Sequence, residues 1–186
     1  TTAIVDDLLD ELSGRDEIDL IADYAFVIPF AVIHTMLGLP TADVAQVRAW
    51  SHALTQTLEP YLTPEQVTAA MEAGNHMDRY LTDAIAAKRR DPASDLLTEL
   101  VLAEEEGDRM SEAELLSMTS LLFVAGHETT VNLIGNGTHA LLGHPEQLEL
   151  VRTDESVDDT VADELLRYDS PVQTSGRRVM HDVAVA

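Results

Sequence analysis

Apolar residues recur every three to four positions along most of this chain, the spacing of one helix face, and the runs stop at proline, glycine or a capping residue. The spacing predicts helices over 16–37, 41–58, 63–90, 93–106, 111–142, 145–152 and 156–168. Several starts have a physical cause. Thr63-Pro64 supplies a cap and a preset first dihedral, and Ser156 is followed by Asp158 and Asp159 in the first turn, where acids complement the helix dipole. Ser111 and Glu114 have the spacing of a capping box. The alternation at 177–185, with Val179, Val183 and Val185, is the good strand pattern. Pro60, Pro92 and Gly107 mark connections. The expected fold class is mainly α with a C-terminal strand segment, and by length 1–186 fits a single domain or part of one.

The segment 111–142 carries the chemistry. It is 32 residues, about 48 Å if helical throughout, and is apolar enough to run through the middle of a core. Within it stands Ala125-Gly126-His127-Glu128-Thr129-Thr130, an acid beside a hydroxyl. A glycine inside a helix costs roughly 1 kcal/mol against alanine, and a β-branched pair adds to that cost. Gly126 lets a flat ligand approach the backbone, and the Thr129 hydroxyl competes for a carbonyl one turn back, so the two together make a local bend with a pocket beside it. Glu128 adds a proton-exchanging group. The residues alone leave an equal alternative: a tolerated glycine, with Thr129 bonded to its own helix.

Two other chemistries fail on spacing, and a membrane span fails on composition. His-Glu-x-x-His would place two imidazoles on one helix face for zinc, but the second histidine position is Val131. No Glu-x-x-His occurs, which removes the di-iron bundle pattern. The apolar run before Leu37 has a membrane-span look, against which Asp23 and Pro29 argue: a central acid costs about 2.5 to 3.5 kcal/mol on insertion scales.

The stretch Leu121-Leu122-Phe123-Val124-Ala125-Gly126-His127-Glu128-Thr129-Thr130, followed by Asn132-Leu133-Ile134 and Asn136-Gly137, closely resembles the oxygen-binding central helix of bacterial cytochromes P450. Asp163-Glu164-Leu165-Leu166-Arg167-Tyr168-Asp169-Ser170-Pro171-Val172-Gln173 resembles that family's Glu-x-x-Arg helix and its exit. The two blocks stand in the family's order, separated by a His144-Pro145-Glu146-Gln147-Leu148 helix start. Glu-x-x-Arg alone carries little, since Glu106/Arg109 and Glu149/Arg152 also show it; only Glu164/Arg167 precedes the Tyr-Asp-x-Pro-Val exit. Upstream, 19–40 is similar to the helix that precedes the family's substrate-lid helices.

The resemblance implies a heme-thiolate monooxygenase that inserts one oxygen atom of O₂ into a small organic substrate, with electrons from a ferredoxin- or flavodoxin-like donor. It assigns Glu128 and Thr129 to catalytic proton delivery, and Ala125, Gly126 and Thr130 to the heme-facing helix. Arg177 takes a heme propionate, a role suited to a planar, permanently charged fork, and Glu164 with Arg167 forms a buried structural brace. The iron requires a cysteine thiolate, and this chain has no cysteine, so no metal ligand is assigned within it. The chain is therefore read as an internal fragment lacking both flanks and not competent alone. A non-catalytic acidic helical interaction protein, or a degenerate remnant of the family, is the alternative. A formal net charge of -23 disfavours nucleic acid and anionic membranes as partners. With nothing resembling a signal peptide, the expected location is cytoplasmic.

Overall fold

A computed structural model describes residues 1–40, 44–59, 61–105, 110–174 and 179–181, and among these the regular structure is helical, with no strand. Of the strand expected over 177–185, residues 177–178 and 182–185 lie outside the described residues, and 179–181 are not strand. The chain divides into two compact units, Thr1–Val131 and Asn132–Ala186.

The first unit opens with a helix that the spacing did not predict, α1 (Thr2–Leu12). It buries Leu8 and Leu12 against Ile28, with Ile4, Val5, Tyr24 and Val27 packed around them. The single helix expected over 16–37 is instead a π-helical turn, Leu20–Ala25, followed by α2 (Val27–Leu37). The Asp19 carboxylate fixes the start by accepting from the Ile21 and Ala22 N–H groups, both at 2.9 Å. The Phe26 N–H then reaches back five residues to the Ile21 carbonyl at 3.0 Å, which is the wider π turn. The stretch Leu20–Leu37, of mean hydropathy 1.8, is long and apolar enough to cross a membrane by length and composition alone. Here Phe26, Ile28, Phe30, Ile33 and Leu37 are part of the buried core. The core helix of a soluble protein passes the same test as a span.

Gly38 ends α2 in the left-handed region at φ 58°, a conformation that favours glycine. A β-carbon there would run into the Asp95 carboxylate and the Lys88 ammonium. Those two nearly buried groups pair with each other, and Asp95 also accepts the Thr98 N–H at 2.9 Å, tying the end of α4 (Pro64–Arg90) to the start of α5 (Leu96–Glu105). The expected start of α4 is observed as a full capping box between Thr63 and Gln66. Against α4 lies α3 (Val44–Thr55), whose Trp50 stacks on His76 at 5.4 Å between ring centroids. Met77 is fully buried there, whereas Met71 is 67% exposed.

The long helix predicted over 111–142 is observed as α6 (Glu112–Gly143), 32 residues. Its capping box holds: the Ser111 N–H donates to Glu114 Oε2 at 2.7 Å and the Glu114 N–H donates to Ser111 Oγ at 3.3 Å. Residues 125–130 are α-helical throughout, with no interruption in the assignment. In the second unit the end of α6 is joined by α7 (Pro145–Thr153), a 3₁₀ turn at Glu155–Val157 capped by Asp154, and α8 (Asp158–Tyr168). Ala140, His144, Leu150, Val161 and Leu165 line an open groove of about 400 Å³ among them.

Candidate functional site

Position on α6 decides what each residue of the Ala125–Thr130 run can reach. Successive side chains turn by about 100°, so Glu128 and Thr129, adjacent in sequence, diverge in space, with Ala125 lying between their directions. The Thr129 hydroxyl donates to the Ala125 carbonyl at 3.0 Å, the local bond that the residue pattern left open. Because its hydrogen is committed there, the oxygen's remaining lone pairs are free to accept.

Glu128 faces α3. Its side chain is 13% exposed, and burial raises its pKa above the usual carboxylate range while the nearby charges of His52 and Arg48 pull it down. Arg48 and His52 are four apart on α3 and therefore share a face. That spacing was the signal in the sequence, but nothing in the sequence says that their charges reach Glu128. The Arg48 guanidinium also sits 4.6 Å above the Phe26 ring.

His127, which failed as a zinc ligand by spacing, is fully buried. Its Nδ1 lies 2.7 Å from the Phe123 carbonyl oxygen, and its Nε2 is 3.8 Å from Glu128 Oε1. Burial lowers its pKa, against the opposing effect of the Phe123 hydrogen bond. The imidazole is held neutral.

Gly126 has a neighbour the sequence did not reveal. A β-carbon on it would stand 2.9 Å from Ile33 Cγ1, so the missing side chain admits α2 against α6. Ala125 is exposed, and so is Leu121, at 62% and one turn earlier on nearly the same face. Thr130 is also exposed but lies about 140° around the helix from Ala125, away from that face. Arg177 lies outside the described residues.

In the second unit, Glu164 and Arg167 form a two-pronged pair within α8, with Nε–Oε2 and Nη2–Oε1 both at 2.7 Å. Both side chains are largely exposed, at 59% and 70%, so the burial implied by the resemblance is not present within these 186 residues. Each group lowers or raises its partner's pKa in the direction that favours the charged pair, chiefly through the hydrogen bond. Glu149 and Arg152 make a looser exposed contact at 3.5 Å, and Glu106 and Arg109 lie outside the described residues.

The fit to heme divides in two. Exposed Leu121 and Ala125, with Thr129 beside them, give α6 an apolar face of short reach that suits a flat apolar group. The sulfur donor its iron needs is not among the 186 residues.

Comparison with known proteins bears on the family and the fold. The sequence model of the cytochrome P450 family matches residues 29–186. Cytochrome P450 107B1 of Saccharopolyspora erythraea is 47% identical over 169 residues, covering 91% of this chain and 40% of that protein. Vitamin D(3) 25-hydroxylase of Pseudonocardia autotrophica is 43% identical over 172 residues, covering 92% and 41%. Among solved structures, P450BioI in complex with an acyl carrier protein ligated to hexadec-9Z-enoic acid superposes with a TM-score of 0.89 at 33% identity. That match covers 98% of this chain and 47% of the other. The chain spans about two fifths of the length of the curated relatives it matches. With a family match over residues 29–186, most of its length, the chain belongs to the cytochrome P450 family.

Proposed function

We propose that this chain is the central helical part of a monooxygenase that inserts one oxygen atom of O₂ into a small organic substrate. Its electrons come from a ferredoxin- or flavodoxin-like donor, and its location is cytoplasmic. Heme, when bound with a cysteine ligand supplied from outside these 186 residues, brings the oxygen-activating chemistry. Leu121 and Ala125 would lie against it, and Arg177 would take a propionate. The 186 residues alone are not competent, because they contain no cysteine.

The observation that carries the reading is the pairing on α6 of a proton-retaining acid with an anchored hydroxyl. Glu128, nearly buried and with its pKa raised, keeps its proton to higher pH than an exposed carboxyl does. Thr129, held on the Ala125 carbonyl at 3.0 Å, presents lone pairs that accept a hydrogen bond, and it passes a proton on only when its O–H turns from that carbonyl toward the acceptor. Ala125 lies between them with only a methyl group, leaving the face open to O₂ and substrate.

The test uses a chain extended to the relatives' full length. Thr129→Ala is expected to keep heme and substrate binding while sharply lowering product formed per reducing equivalent, the difference appearing as hydrogen peroxide. Thr130→Ala, pointing elsewhere, keeps its coupling. Full coupling in Thr129→Ala, or an equal leak in Thr130→Ala, overturns the assignment.

A further inference from the structure

His127 is a polar side chain sealed among rings. The centroids of Phe26, Phe30 and Phe123 stand 5.7, 5.8 and 5.3 Å from its own, and the ring has no exposed surface. The Phe123 carbonyl can only accept, so the hydrogen of a neutral imidazole sits on Nδ1 at that 2.7 Å contact. Nε2 is then left with a lone pair. It is buried and, among the described residues, has no hydrogen-bond partner. A buried acceptor without a donor is costly, and proteins rarely leave one. The adjacent polar group is the Glu128 carboxyl, whose Oε1 is 3.8 Å away, about 1 Å beyond hydrogen-bond distance.

Only a protonated carboxyl has a hydrogen to give to that lone pair. The charged groups acting on Glu128 from the other side are Arg48 and His52 of α3, and they favour the ionised form. The elements packed around the imidazole contribute aromatic rings. The carboxyl therefore has two distinct states: protonated, with an O–H that His127 Nε2 can accept; or ionised, the form that Arg48 and His52 favour.

We propose that His127 is the positioning residue for Glu128, its buried Nε2 accepting the carboxyl O–H and so holding the proton in place until it is passed on. In this arrangement the proton sits on the glutamate oxygen and the imidazole carries only its Nδ1 hydrogen. The inference deepens the reading of Glu128 as a proton source and rests on it for its functional meaning, while the hydrogen bond itself stands or falls separately.

The experiment is long-range ¹H–¹⁵N spectroscopy of the 186-residue chain labelled at histidine, titrated with pH. The expected result is a neutral Nδ1–H tautomer for His127, with Nε2 displaced upfield of an unpartnered ring nitrogen at low pH and moving downfield as Glu128 ionises. Glu128→Leu is expected to leave Nε2 at the unpartnered position at every pH. Glu128→Gln, which keeps a donor but does not titrate, keeps an upfield signal without the pH dependence. An Nε2–H tautomer, or an Nε2 signal identical in the native chain and Glu128→Leu, overturns the proposal. A second arm uses turnover in the full-length context. His127→Phe keeps the ring and removes the acceptor, so the loss of turnover on the alkaline side is expected to move to lower pH; an unmoved profile assigns His127 to packing alone. Peroxide yield in Thr129→Ala reports on the underlying proton-delivery reading independently of either arm.

Discussion

A buried imidazole makes folding sensitive to pH even when it never titrates in the folded state. Burial holds the His127 pKa below its ordinary value, whereas the unfolded chain takes up a proton at about 6.5. As pH falls below that, the unfolded state binds a proton that the folded state refuses, and stability is lost. Glu128 acts in the opposite direction: with its folded pKa raised, stability is lost as pH rises from the ordinary carboxylate range toward the folded value. Substitution separates the two. In a Glu128→Gln background, where that group no longer titrates, adding His127→Phe is expected to change stability by an amount that is flat above about pH 7 and improves below about 6.5, by no more than about 1.4 kcal/mol per pH unit, one proton's worth. Urea unfolding across that range checks it, and a difference independent of pH rules it out. The sequence named Glu128 and Thr129 because acid and hydroxyl are legible as residue types. It could not show that the charges of Arg48 and His52, some 80 positions upstream, act on Glu128. Nor could it show that Phe26 and Phe30 bury His127, since nothing local to residue 127 encodes those rings.

Periodicity located most helices because apolar faces repeat within each segment, and α6 with its Ser111–Glu114 box is the clearest case. Two elements were less legible for physical reasons. The π turn at Leu20–Ala25 differs from an α-helix by one residue per turn, a difference that Asp19 and its accepted bonds set and that apolar spacing does not report. The other, α1, has only Ile4, Val5, Leu8 and Leu12 as its buried stripe, among acids that make it read as solvated chain. Gly126 shows how an element-level contact changes a residue-level reading: its missing side chain accommodates Ile33, so its smallness serves the α2–α6 approach. Gly126→Ala would regain about 1 kcal/mol of helix propensity but overpack against Ile33 at a cost of about 1 to 3 kcal/mol. The expected net is a loss of about 1 kcal/mol in denaturant unfolding. In an Ile33→Ala background the clash is absent, and the same substitution is expected to stabilise. Additive effects in that double-mutant cycle would show that α2 does not press on Gly126.

At the scale of the whole molecule, two motif blocks in the right order made the family legible, because they record constraints that spacing and residue type preserve together. What the sequence left out is what other segments must supply. The pair Glu164–Arg167 is formed and exposed here, a charged fork with room for a third group, while the chain covers about two fifths of its curated relatives' length. The same reasoning applies to the iron. Thiolate ligation needs a cysteine sulfur, and the 186 residues contain none, so the apolar face of α6 can at most associate with heme without supplying that ligand. Mixing the chain with heme, reducing it and adding carbon monoxide is expected to give no red-shifted absorption of the kind that marks a cysteinate-bound ferrous heme. Extending the chain to the relatives' length with a cysteine-bearing heme loop is expected to produce it. In that extended context Glu164→Ala is expected to abolish heme incorporation, and Glu149→Ala, whose exposed partner contact is looser, to leave it intact. A thiolate spectrum from the 186 residues alone would mean that the ligand assignment is wrong. Equal tolerance of the two glutamate changes would mean that the α8 pair is only a surface contact.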